Sequence, residues 1–185
     1  MVFITFSQDR HKTYFDVKVR RLFNLVKTDA TPDLWIKVFI YNSNRYNPGS
    51  GLSWEKDEQK IKFFFGDRFG FGDISKYSPW CSYRGHYRYA ELGGHGFYDK
   101  EWEYLKEHPK VKHVITLKIN EDETDLDIAH LIAHEYRHYL QFKKYGSAMT
   151  RRGNNGRRTR PVQVERDANK WEKKRIDKLV SEEKL

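Results

Sequence analysis

The sequence predicts an α+β domain in which a small mixed sheet packs on a central helix, with a further helix at the C-terminal side. Three observations point there. Aromatic residues make up 16% of the chain and concentrate in its first hundred positions, where runs of β-branched and aromatic side chains suit strands. Residues 111–120 alternate Ile115, Leu117 and Ile119 with Thr116, Lys118 and Asn120, the period of a half-buried strand. After that strand the period changes to that of helices, over Asp125–Tyr145 and again from Pro161 onward.

A chain of 185 residues is long enough for a real core and fits one domain. Within it, 1–110 reads as a β-rich part of unassigned role, 111–180 as the part that bears the chemistry, and 146–160 as a flexible basic loop. The single cysteine, Cys81, excludes an intrachain disulfide framework and fits a reducing compartment. No apolar run approaches about 20 residues, so no transmembrane helix and no membrane partner are expected. The N-terminus lacks the basic-then-apolar pattern of a signal peptide, so the expected location is cytoplasmic. The net charge of +9 favours acidic partners such as nucleic acid, or simply solubility.

Taken in order, residues 2–6 form a short apolar strand. Residues 13–26 are ambiguous. Phe15, Val19, Leu22 and Val26 make a helical stripe, while Thr13, Phe15, Val17 and Val19 also alternate, and a helix is favoured by Arg20 at the latest. Thr31-Pro32-Asp33 breaks the pattern, and Leu34–Tyr41 follows as a strand. Residues 42–51, rich in Asn, Ser, Pro and Gly, read as a loop. Residues 60–65 read as a second strand, 69–72 as irregular, and 82–98 as a hairpin turning at Gly93-Gly94. His86 and His95 lack a ligand partner at suitable spacing and read as ordinary histidines. Residues 100–107 suit a short helix stopped before Pro109. The strand over 111–120 is placed either to border a cleft and lend its edge to an extended peptide, or as an ordinary sheet strand.

The stretch Asp125–Tyr145 carries the chemistry. Asp122, Asp125 and Asp127 crowd its start and Lys143 and Lys144 its end, with Gly146 after it. This is the charge order that a helix dipole favours. Within it stands His134-Glu135-Tyr136-Arg137-His138. On a helix, His134 and His138 lie one turn apart on one face, with Cβ atoms about 6 Å apart, and can bind one Zn²⁺ at about 2.0–2.1 Å. Glu135 can then take a proton from a water on the ion. The plainer reading is a pair of solvated histidines in a motif met by chance. His130 cannot share that ion with His138, because eight residues of helix rise about 12 Å. It reads as packed or hydrogen-bonded.

Between the two helices, residues 143–160 hold seven basic side chains and no acidic one. Arg151, Arg152, Arg157, Arg158 and Arg160 are interleaved with glycines and asparagines. They read as a solvated loop, or as a contact for phosphate backbone or an acidic substrate. Pro161 opens the last helix, with Val164, Ala168, Trp171, Ile176 and Leu179 as its apolar stripe and 181–185 expected to fray.

A hydrolytic zinc site keeps three protein ligands and one open position. Glu165, in the first turn of the last helix, is the leading third ligand, although a carboxylate is favourable there in any case. Asn169 lies four residues on, placed to hydrogen-bond a ligand ring. Asp167 points about 200° away from Glu165 and suits ligation less well.

His-Glu-x-x-His on one helix and Glu-x-x-x-Asn on the next resemble the zincin metallopeptidases, specifically the gluzincin type. The run Glu165-Arg166-Asp167-Ala168-Asn169-Lys170-Trp171 is similar to the Glu-x-x-Ala-Asn-x-aromatic run of ImmA/IrrE-like peptidases. The small size, with a strand just before the first helix, also resembles minimal gluzincins and SprT-like domains. The resemblance covers about 111–179. It implies a zincin-like fold, a His₂Glu zinc site of His134, His138 and Glu165, Glu135 as general base, and a protein or peptide substrate. It departs where larger gluzincins carry an aspartate at the place of Asn169. The transition-state stabiliser that it also implies is open between Tyr139, Tyr145 and tyrosines further upstream. The alternative is a non-catalytic or nucleic-acid-associated binding or structural protein on the same scaffold, of the kind a virus or mobile element encodes.

Overall fold

The computed structural model describes residues 3–6, 12–41, 85–89, 99–149, 151–152, 158–159 and 162–185. Strands β1 (Phe3–Phe6), β2 (Leu34–Tyr41), β3 (Gly85–Tyr89) and β4 (His113–Asn120) form a mixed sheet in the order β1-β2-β4-β3. β1, β2 and β4 run parallel, with Phe3 beside Trp35 and Leu34 beside His113. β3 runs antiparallel to β4, with Gly85 beside Leu117 and Tyr89 beside His113. The helices among the described residues are α1 (Lys12–Val26), α2 (Asp99–Glu107), α3 (Asp125–Tyr145) and α4 (Val162–Ser181). The mixed α and β architecture is compatible with the α+β class.

Parallel strands covered on both faces read as continuous apolar runs, which explains the sequence of β2. Leu34, Ile36 and Val38, with Ile115, Leu117 and Ile119 of β4, face the main core shared with α1 and α3. Trp35 and Val114 face the other way, toward Leu105 of α2 and Val111. α1 resolves the ambiguity over 13–26 in favour of a helix from Lys12. Phe15, Val19, Leu22, Phe23 and Val26 are buried while Val17 is 68% exposed. On a strand Val17 would share the face of Phe15 and Val19.

α3 starts and stops where its charges and caps dictate. Thr124 Oγ1 accepts from the Asp127 amide at 3.1 Å and the Asp127 carboxylate accepts from the Thr124 amide at 3.3 Å, a capping box. Gly146, at φ 57, ends it. Asp125 ties this end to α1 through Lys18, at 2.9 Å, and Arg21.

The structure decides one open reading and corrects two expectations. β4 lies inside the sheet, paired on both sides, so it has no edge to lend; among the described residues β3 is the outer strand on that side. The basic connection is not wholly irregular. It opens with a 3-10 turn, Gly146–Met149, and carries a two-stranded antiparallel ribbon, Arg151–Arg152 paired with Arg158–Thr159. The C-terminus is tied rather than frayed. Glu183 takes φ 54, the Lys184 amide bonds Leu179 O and the Glu183 amide bonds Val180 O, both at 3.0 Å, and Leu185 packs on the core. The loop expected over 42–51, the strand over 60–65, the irregular 69–72, His95, the Gly93-Gly94 turn, Arg157 and Arg160 lie outside the described residues. No helix among those described is long and apolar enough to cross a membrane.

Candidate metal centre

α3 and α4 pack side by side, with Ala133 and Ala168 both fully buried. Helical spacing puts His130, His134, His138 and Gln141 of α3 within reach of α4. His134 Nε2 and His138 Nε2 stand 3.2 Å apart. Glu165 Oε2, from the first turn of α4, lies 3.4 Å from the first and 3.3 Å from the second. Atoms held about 2.0–2.1 Å from one tetrahedral ion stand about 3.3–3.4 Å from each other. The triangle therefore fits a zinc-sized ion, and two imidazoles with one carboxylate are a suitable donor set. His134, His138 and Glu165 are also the one His/Cys/Asp/Glu group of this kind among the described residues.

Both rings are held by their other nitrogen. His134 Nδ1 lies 3.1 Å from Glu172 Oε2, and the second oxygen of that carboxylate lies 2.9 Å from His130 Nδ1. His138 Nδ1 lies 2.7 Å from Gln141 Oε1. The Gln141 amide is oriented in turn, since its Nε2 donates to Val164 O at 2.9 Å and to Asp167 Oδ2 at 2.7 Å. Arg137 Nε donates to the same Asp167 oxygen at 2.8 Å. This network assigns Nδ1–H to both histidines and leaves each Nε2 facing Glu165.

The electrostatics favour a cation. Burial pulls the His134 pKa down, but hydrogen bonds to Glu165 and Glu172 and the charges of Glu135 and Glu172 outweigh it and push the value up to about 10. Burial works against ionisation of Glu172, yet its bonds to His134 and His130 bring its pKa below the usual value. The Arg137 bond likewise holds the Asp167 carboxyl low.

Glu135 follows His134 by one residue, so its side chain turns about 100° around α3, away from α4 and toward β3. It is 4% exposed. Its side chain fills the space beside Gly85: a Cβ built there would come within 2.5 Å of Glu135 Cγ and 2.6 Å of Oε1.

The structure thus brings together His134, His138 and Glu165, places Glu135 against Gly85 of β3 with its charge acting on His134, and gives His130 the hydrogen-bonded place expected of it. Asn169 is exposed, and the ring nitrogens it was expected to serve are met by Glu172 and Gln141. Those two were missed, although Glu172 at seven residues after Glu165 and Gln141 at three after His138 both lie on the inner faces by helical spacing. Tyr139 is fully buried and its hydroxyl donates to Asp33 Oδ1 at 2.8 Å, which engages it in the core. Tyr145 is exposed, about 10 Å of helix rise beyond His138. Neither stands at the triangle. Arg151, Arg152 and Arg158 are placed only by their backbone, on the ribbon. Comparisons with protein-family models, curated proteins and solved structures give no match to this chain.

Proposed function

We propose that the chain is a zinc-dependent peptidase of the zincin, gluzincin-like type. His134, His138 and Glu165 hold the ion and Glu135 is the general base. The observation that carries this reading is the triangle of ligand atoms, 3.2–3.4 Å on each side, with a buried carboxylate one residue along the same helix. A zinc ion held there would lower the pKa of water towards about 7 and polarise a peptide carbonyl.

The chain's own residues do the rest. Glu172 and Gln141 fix the tautomer and direction of the two rings. A Glu135 carboxylate oxygen takes a proton from the water as its oxygen bonds the carbonyl carbon, then delivers that proton to the amide nitrogen as the C–N bond breaks. Burial of Glu135 keeps bulk solvent from that proton. The strand just before α3, the helix carrying both histidines and the later helix carrying the glutamate support the zincin type of fold.

The test is metal content by mass spectrometry, alongside hydrolysis of an unfolded protein such as casein. The expected result is about one zinc per chain, lost or much weakened in Glu165→Ala. Glu135→Gln is expected to keep the zinc while turnover falls by about 10²–10⁴-fold. Full zinc in Glu165→Ala would remove that ligand, and wild-type turnover in Glu135→Gln would remove the general base.

A further inference from the structure

Gly85 begins β3, and its backbone lies against the Glu135 side chain of the histidine-bearing helix. A glycine weakens a strand and often marks a close approach of another group. Its backbone does not demand glycine here, because Gly146 is the only glycine at positive φ among the described residues. Space does demand it. A Cβ on Gly85 would lie 2.5 Å from Glu135 Cγ, 2.6 Å from Oε1 and 2.8 Å from Cδ. Atoms do not approach that closely without one of them moving. The α3 backbone at this point is fixed by its neighbours: Ala133 and Tyr136 are fully buried, and the Tyr136 hydroxyl accepts from the amides of Thr28 and Asp29 at 3.2 and 3.0 Å. The strand is fixed on its other side by its register with β4. The Glu135 side chain is therefore the part that would yield.

We propose that Gly85 is the positioning residue for Glu135: its missing side chain is the space that the Glu135 carboxylate occupies, one residue along α3 from the ligand His134. This inference rests on the reading of Glu135 as general base. It extends that reading from the metal-site helices to β3, on which no ligand lies. A methyl group at position 85 displaces the carboxylate while leaving His134, His138 and Glu165, which meet between α3 and α4, in place.

The test is a double-mutant cycle on the metal-free full chain, with Gly85→Ala, Glu135→Ala and the pair. At an ordinary strand φ, alanine in place of glycine is neutral or mildly stabilising, so any loss comes from the clash. Gly85→Ala is expected to lower Tm by about 3–10 °C beside Glu135. In the Glu135→Ala background, where the methyl group enters vacated space, the same change is expected to leave Tm within about 2 °C or raise it. Should Gly85→Ala fail to fold alone, folding of the pair is the same result. An equal loss in both backgrounds, or failure of both to fold, overturns the proposal.

Two further readouts separate positioning from a general defect. Zinc Kd by competition with a chelating dye stays within about threefold of wild type, because the ligands are untouched. With casein as substrate, kcat falls about 100-fold at little-changed KM, and wild-type kcat in Gly85→Ala would also overturn the proposal. A wild-type chain that hydrolyses nothing sinks the peptidase reading, while the thermal cycle still decides where Glu135 is held.

Discussion

His134 sits among Glu135, Glu165 and Glu172, and in the metal-free protein that environment holds a proton on it up to about pH 10. The folded-state pKa is raised above the ordinary 6.5. The charged ring therefore contributes stability that is fully present below about pH 6.5 and is lost as pH rises through about 10. An ion must displace the same proton, so zinc affinity moves the opposite way. Zinc Kd is expected to tighten about tenfold per pH unit between about 6.5 and 8.5, read by dye competition, and a flat profile would show that His134 releases no proton on binding. Single residues were unevenly legible. The pair His134 and His138 followed from helical spacing alone, and Glu165 from the need for a third ligand. Gln141 and Glu172 gave no comparable sign, because a glutamine or glutamate on a helix is ordinary until a ring nitrogen is placed against it.

At the scale of elements, α3 was legible from end to end, because its Asp-rich start, lysine-rich finish and Gly146 are local signals that its capping box and positive-φ glycine realise. α1 was not, since both periods matched its sequence and only burial of one face against the sheet decided between them. The end of α4 is a case where local preference is overruled. Glu183 occupies a left-handed backbone position, at φ 54, that closes the helix. A non-glycine residue there costs about 1 kcal/mol. Glu183→Gly is expected to stabilise the fold by about 0.5–1 kcal/mol, since glycine also gains unfolded-chain entropy that offsets part of the relief. Denaturant unfolding reads it out, and a loss of stability would show that the Glu183 side chain contributes more than its backbone costs.

At the scale of the whole molecule, a bound ion would join α3 to α4, and so link the helix against the sheet to the C-terminal helix. Zinc at about 100 times its Kd is expected to stabilise the fold by about 2.7 kcal/mol, or about 5–10 °C in Tm, with the gain removed by a chelator and absent from His134→Ala. An unchanged midpoint would mean that no ion bridges the helices. By itself the sequence determined what repeats locally: the strands at Leu34–Tyr41 and near 113–120, the long helix with its caps, and two histidines on one face of it. Those features depend on bond geometry and on periods of two and 3.6 residues, which neighbours in sequence carry alone. Only the tertiary structure decided which strand borders Glu135, which groups hold the rings, and that a glycine far back in the chain makes room for the carboxylate. Strand order and helix–helix contact join residues distant in sequence, and what selects them is the shared burial of faces that no single segment can provide.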